Sequence, residues 1–168
     1  MSSSADRPLT DLEGAVLAVI ARRGEATAYQ VAKEFERSPS EYWSGSAGAV
    51  YPLVERLRQQ GFLEGHAGAQ GKRARTVLRL TDTGKAAFQG WMFDSDRAAG
   101  MGFDPLRTRM VYLSGAPQEE RQAFLAQVEA RLAVFAQTPG FPDEPDLERL
   151  HQSWIAARLA WVRRLMDD

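Results

Sequence analysis

The sequence predicts a mainly α-helical protein that carries one small two-stranded antiparallel β-ribbon. Three observations predict it. Apolar residues recur at helical spacing over most of the chain, as in Val50, Leu53, Val54 and Leu57. Threonine-led capping boxes open two of these stretches, at Thr10-Asp11-Leu12-Glu13 and Thr27-Ala28-Tyr29-Gln30. Only around Phe62 to Leu80 does the pattern shorten to the alternation of a strand, about a glycine-rich turn at Ala67-Gly68-Ala69-Gln70-Gly71-Lys72.

Residues 1–8 (MSSSADRP) have nothing to bury and are expected to fray. The Thr10 box then opens a helix whose Leu12, Val16, Val19 and Ile20 share one face, ended by Gly24. The Thr27 box opens a shorter one with Val31, Ala32 and Phe35, expected to run to about Arg37. Ser38-Pro39-Ser40 stops it, because the residue before a proline is pushed out of the helical region. Residues 38–48 read as a loop anchored by Tyr42 and Trp43. Ser46 can cap the third helix, but Pro52 would then fall in the second turn, where its missing N–H costs a hydrogen bond. A start nearer Gly48, or a kink, is therefore expected. Gly61 followed by Phe62 has the form of a left-handed helix end with its hydrophobic contact.

Two strands are expected at Phe62–His66 and Arg73–Leu80. On the second, Thr76, Leu78 and Leu80 face one side and Arg75, Val77 and Arg79 the other. Thr81-Asp82-Thr83 starts a helix carrying Ala87, Phe88, Trp91 and Met92. The small, charged, glycine-punctuated stretch Asp94 to Gly102 reads as a hinge, which divides the chain into 1–93 and 94–168. Beyond it a short helix is expected over Pro105 to Leu113. Pro117 suits the first turn of a longer one bearing Phe124, Leu125, Val128, Leu132 and Phe135. The loop Thr138 to Pro145, with three prolines, ends that helix. The last helix, Asp146 to about Met166, has two apolar stripes: Leu150, Trp154, Ala157, Trp161 and Leu165, and Leu147, Ile155, Leu159 and Val162. So wide an apolar arc calls for two partners, one of them a second copy of the chain.

Composition narrows the function. The 168 residues include no cysteine, which excludes disulfides, thiolate zinc sites, iron–sulfur clusters and a cysteine nucleophile, and fits a reducing, cytoplasmic setting. The longest apolar run, Ala15 to Ala21, is far shorter than the roughly 18 residues of a spanning helix, so no signal peptide and no membrane partner is expected. His66 and His151 stand alone without ligand spacing, so no metal site is expected. No nucleophile elbow, phosphate-binding Gly-Lys-Ser/Thr loop or dinucleotide fingerprint is present. The chain therefore reads as a non-enzyme without a cofactor.

Net charge is −1, but it is unevenly spread: residues 22–85 hold 11 Lys and Arg against 7 Asp and Glu, and the remainder 10 against 15. The positive half is the one in which three helices precede a ribbon tipped and flanked by Lys72, Arg73 and Arg75. That order is a winged helix-turn-helix, and the rest forms a C-terminal α-helical dimerisation domain. The third helix would enter a DNA groove while a basic wing grips the adjacent backbone. Candidate DNA contacts follow: Lys72, Arg73 and Arg75 on the wing; Ser44, Ser46, Ala47 and Tyr51 at or near the start of the third helix; Tyr29, Gln30 and Lys33 on the second. Arg56, off the apolar stripe, is either a phosphate contact or a salt-bridge partner. Each also has a plain reading, as a solvated turn, a cap or a packing residue. Trp154 and Trp161, seven residues apart, are either dimer core or the lining of an aromatic effector pocket. The alternative to DNA is a winged-helix protein–protein adaptor, which would lack salt-sensitive duplex binding.

Several of these residues also resemble a family. Thr27-Ala28-Tyr29, Trp43, Val50-Tyr51-Pro52-Leu53 with Arg56-Leu57, Gly61, Gly71-Lys72-Arg73-Ala74-Arg75 and Leu80-Thr81-Asp82-Thr83-Gly84 look like the PadR family of bacterial transcriptional regulators. The C-terminal half is similar in its helix pattern and in the aromatic run Trp154 to Trp161. The resemblance implies a homodimer joined through its C-terminal helices, which binds an inverted-repeat operator in double-stranded DNA and releases it to a small-molecule effector. The chain departs from the family pattern at Glu55, where a basic residue is usual, and at Thr76 and Leu78, where the wing is usually basic then aromatic. These changes point to a different operator or a weaker phosphate grip at that edge.

Overall fold

The computed structural model describes residues 7–38, 41–68, 75–100 and 104–167, and only the backbone of residues 41 and 42. The chain divides into two compact units, Met1–Gly100 and Met101–Asp168. In the first, α1 (Asp11–Arg23), α2 (Ala28–Glu36), a short α3 (Glu41–Ser44) and a 3₁₀ turn (Ala47–Ala49) lead into α4 (Val50–Gln59). The strands β1 (Leu63–Gly68) and β2 (Arg75–Leu80) follow, then α5 (Asp82–Met92) and α6 (Ser95–Ala98). The second unit holds α7 (Pro105–Leu113), α8 (Gln118–Ala136) and α9 (Pro145–Asp167). Among the described residues no helix is long and apolar enough to cross a membrane.

Local chemistry sets the ends of the first helices. Both capping boxes form: the Thr10 hydroxyl accepts from the Glu13 N–H while Thr10 N–H donates to the Glu13 carboxylate, and Thr27 and Gln30 repeat the exchange on α2. Gly24 and Gly61 take φ of 74° and 77°, the left-handed region that only glycine enters cheaply. At Gly61 this closes a Schellman motif, in which Phe62 N–H donates to Leu57 and Gly61 N–H to Arg58, each at 2.9 Å. The chain then enters β1 with Phe62 and Leu63 already in the core.

The β-ribbon pairs antiparallel from Leu63 with Leu80 to Gly68 with Arg75. A third partner lies outside it: Ala26, in the α1–α2 connection, exchanges backbone hydrogen bonds of 2.8 and 3.0 Å with Leu78. This pins β2 to the helices, and Leu78 and Leu80 close a core built on Val16, Leu17, Ile20, Val31, Val50 and Leu57. Glycine allows α1 and α5 to approach closely, since a Cβ on Gly14 would lie 2.2 Å from the Trp91 indole. Phe35 and Trp43 meet edge to face at 5.5 Å, so Trp43 anchors the segment after α2.

Four expectations change. The segment 38–48 is partly helical, through α3 and the 3₁₀ turn. Ser46 makes no side-chain cap bond; α4 starts at Val50, which puts Pro52 third in the helix, where its missing N–H has no intrahelical acceptor to lose. The stretch expected as hinge contains α6, tied to the first unit because Arg97 donates to the Leu9 carbonyl at 2.5 Å and to Asp11 at 3.1 Å. Met92 lies on the exposed side of α5.

In the second unit Asp104 caps α7 by accepting from Leu106 and Arg107 N–H, and Arg158 of α9 pairs with its other oxygen at 2.7 Å. The helices α8 and α9 run antiparallel, as Arg163–Glu129 and Gln122 to the Met166 carbonyl show. Leu125 and Leu132 of α8 and Ile155 and Val162 of α9, with Leu106, form the small core. Of the two stripes on α9, the one through Ile155, Leu159 and Val162 is thus spent inside the unit. On the other, Leu150 and Trp154 are exposed, but Trp161 packs against the unit's own core.

Candidate nucleic-acid interface

The apolar face of α4 is turned inward through Val50, Leu53, Val54 and Leu57. Its outward residues are therefore Tyr51, Pro52, Glu55, Arg56, Arg58 and Gln59. On a helix Tyr51, Glu55 and Arg58 fall at i, i+4 and i+7, so they form one exposed stripe. Arg58 donates to Glu55 at 2.9 Å, and Gln59 to the other Glu55 oxygen at 3.2 Å. The end of this stripe meets the ribbon: a Cβ on Gly65 would lie 2.6 Å from Thr76 Cγ2 and 3.3 Å from Arg58 Nε, so glycine makes the room that these side chains occupy.

Beside it, Thr27, Ala28 and Tyr29 at the start of α2 line an open hollow together with Arg75 and Thr76 of β2. The fold thus gathers Tyr29 and Arg75, 46 positions apart in sequence, next to Thr76, which meets Arg58 across Gly65. Tyr29 is 57% exposed, and Arg75 makes no ion pair among the described residues. Lys33 lies over the Tyr29 ring at 5.7 Å and donates to Glu36 at 2.5 Å. The Glu36 hydrogen bond holds its ammonium pKa above the usual value, so it stays charged but shares that charge. The Gln30 oxygen is occupied in the α2 capping box. Also on α2, Glu34 accepts from Arg23 at 2.7 Å and from Arg22, and the two guanidiniums hold its carboxyl below the ordinary range despite partial burial.

Other sequence candidates behave differently. Ala47 is buried in the core, so its side chain is not offered to a ligand, and Ser44 and Ser46 are half-buried beside it. Arg56 is a salt-bridge partner: its guanidinium reaches Glu13 of α1 at 3.1 Å. Glu13 is fully buried and also accepts from Arg7 at 2.7 and 2.9 Å and from Thr10 N–H at 2.8 Å. Burial alone would push its carboxyl up; the Thr10 N–H, Arg7 and the Thr10 hydroxyl outweigh it and hold the pKa below the usual value. Lys72, Arg73 and the rest of the turn at 69–74 lie outside the described residues, as does the Tyr42 side chain. Arg58 escapes a reading of the sequence because its helix position looks like a solvated charge; its seven-residue spacing from Tyr51 is the signal that finds it.

In the second unit Trp154 and Trp161 are not equivalent. Trp154 stacks on His151 at 6.3 Å and lies under the Arg158 guanidinium at 4.1 Å, whereas Trp161 is packed against the apolar core. Among the described residues no group of three or more His, Asp or Glu is placed to hold a metal ion.

Known proteins are similar to this chain. Residues 16–90 match the Transcriptional regulator PadR-like family. The chain is 25% identical over 131 residues to the negative transcriptional regulator PadR of Bacillus subtilis (strain 168), spanning 77% of this chain and 71% of that protein. A crystal structure of Bacillus subtilis PadR in complex with operator DNA superimposes with a TM-score of 0.72 at 17% identity, covering 96% of this chain and 99% of that one. Another, of Bacillus subtilis PadR in complex with p-coumaric acid, gives 0.64 at 17% identity over 92% and 93%. The stretch from α1 to α5 that builds the exposed α4 stripe and the wing is therefore the matched region, and it is similar to the PadR-like transcriptional regulators.

Proposed function

We propose that the protein is a sequence-specific DNA-binding repressor, which acts as a cytoplasmic homodimer on an inverted-repeat operator and is released by a small aromatic effector. The observation that carries the reading is the joint surface of Tyr51, Glu55 and Arg58 on α4 with Tyr29 and Arg75 beside it. An outward polar helix face sized for the major groove reads bases, and flanking hydroxyl and guanidinium groups grip phosphate. Lys33 adds charge at the rim, and Lys72 and Arg73 extend the grip from the wing turn. Ser44 and Ser46 are proposed as backbone-side contacts near the start of α4, and Ala47 permits close approach without a side-chain contact of its own. Arg56, half of whose side chain is open while its guanidinium pairs with Glu13, is a secondary phosphate contact in this reading.

The domain roles follow. The first unit binds DNA. The second dimerises through apolar side chains it leaves open, among them Val134, Phe135, Leu150 and Trp154. The effector reading is supported by the relative's structure with p-coumaric acid, and Trp154, with its exposed indole, is the better candidate for stacking; Trp161 is the lesser one.

Selection of duplexes from a random library, with affinities measured at several salt concentrations, tests the proposal. An enriched inverted repeat with half-sites about one helical turn apart is expected. Arg75→Ala should weaken binding to all duplexes and make the slope of log affinity against log salt shallower by about 0.9 for each phosphate it no longer neutralises. No enrichment with flat salt dependence would refute the reading in favour of a protein adaptor.

A further inference from the structure

The recognition face of α4 carries a carboxylate where a polyanion would dock. Glu55 is 55% exposed, sits between Tyr51 and Arg58 on the outward stripe, and both its oxygens are held by donors of the same helix, Arg58 and Gln59. A negative charge facing phosphates lowers affinity for every duplex alike, unless it meets a donor on a base edge. In the major groove the donor suited to a carboxylate is the cytosine N4 amine, and the partner guanine presents O6 and N7, the acceptors that suit a guanidinium. A single C·G pair therefore offers side by side what an Asp or Glu and an Arg one helical turn apart require. Glu55 and Arg58 are such a pair, already joined at 2.9 Å and presented on one edge of the helix.

Arg58 is also held in place from the other side. Gly65 of β1 leaves the space in which the Arg58 Nε and the Thr76 methyl lie. A side chain at 65 would displace both. The arginine is thus only 39% exposed and is braced between α4 and the ribbon rather than free to follow any phosphate, which suits a group that must meet a base edge at a fixed position.

We propose that the Glu55–Arg58 pair is the specificity element of this protein, Glu55 accepting from cytosine N4 and Arg58 donating to guanine O6 and N7 at one base pair of each half-site. The proposal rests on the DNA-binding reading above and names the residues that would choose the operator. Glu55 then acts as a filter: it weakens binding everywhere and restores it only where a C·G pair stands at its position.

The test is duplex selection with the full-length protein and with Glu55→Gln and Arg58→Ala, followed by titration of duplexes that differ at one base pair. Wild type should enrich C·G at one position per half-site. Glu55→Gln should lose about tenfold discrimination at that position alone and turn toward A·T, because a glutamine amide pairs with adenine N6 and N7. It should also bind random duplex several-fold more tightly, having shed one negative charge per half-site. Arg58→Ala should relax the same position. Thermal melting of each variant checks the fold, which these exposed positions leave intact. A Glu55→Gln protein with the wild-type preference at every position overturns the proposal while leaving the DNA-binding reading standing, and so does uniform tightening without a change in preference. A wild-type protein that enriches no sequence overturns both.

Discussion

Replacing Glu13 by Gln keeps the side chain's size and removes its charge, and the surrounding geometry sets the cost. One Glu13 oxygen accepts from Thr10 N–H, the Thr10 hydroxyl and Arg7; the other accepts from Arg7 and Arg56. A glutamine can keep its oxygen on the Thr10 side, which preserves the capping box, but then its amide N–H₂ faces the two guanidiniums. Leaving a buried group without its hydrogen-bond partner costs about 1–3 kcal/mol. Arg7 and Arg56 are 50% and 54% exposed, so water takes back part of that loss, and a value near 1.5 kcal/mol is expected. For a unit of about 100 residues this lowers Tm by roughly 6–12 °C. The effect should also depend on pH in a fixed direction. Because the folded carboxyl lies below its ordinary value of 4.5, its stabilisation is fully present above that pH and is lost as pH falls through the lowered value. The gap between wild type and Glu13→Gln should therefore be widest near neutrality and close in acid. Urea denaturation from pH 7 to pH 3 measures it, and an Arg56→Ala cycle should return a coupling of about 0.5 kcal/mol. A Gln variant within 0.5 kcal/mol of wild type at pH 7 would show that the buried charge of Glu13 does not carry this stabilisation and refute the reasoning.

Gly84→Ala should destabilise the first unit by about 3 kcal/mol, since the new Cβ would lie 2.0 Å from the backbone oxygen of Phe62, which cannot rotate away; a melting curve unchanged from wild type would contradict this packing. Ile155→Ala, in a side chain 1% exposed, should cost the second unit about 2–5 kcal/mol in chemical denaturation. Leu150→Asp, on the open side of the same helix, should leave that unit's stability nearly unchanged and shift sedimentation toward monomer; a variant as dimeric as wild type would remove this stripe from the proposed interface.

Features whose causes lie within one turn of the chain were legible from the residues alone. Thr10 with Glu13, Thr27 with Gln30, Gly24 and Gly61 with Phe62 set helix ends through hydrogen bonds spanning three to five positions, and the structure shows each of them. Strand alternation located the ribbon, and the inward residues Leu78 and Leu80 followed from it. The order of these elements pointed to a winged helix-turn-helix, and particular residues, among them Val50-Tyr51-Pro52-Leu53 and Leu80-Thr81-Asp82-Thr83-Gly84, carried the resemblance to the PadR family. The start of α4 was less legible, because a 3₁₀ turn stands between Ser46 and Val50 and moves Pro52 into the first turn. The partner of Arg56 lies 43 residues away, and the contact between Arg58, Gly65 and Thr76 depends on how the ribbon crosses the helix. The roles of Trp154 and Trp161 divided in the same way: both lie on one stripe of α9 in sequence, yet the fold of the second unit packs one, partly buried, against its core and leaves the other open. Periodicity tells which face of an element is apolar, whereas burial depends on where a distant element comes to rest. The sequence by itself therefore determined the long helices, the ribbon, the glycine and threonine caps and the family resemblance, while tertiary packing decided which charged side chains are spent on the fold and which remain to meet a ligand.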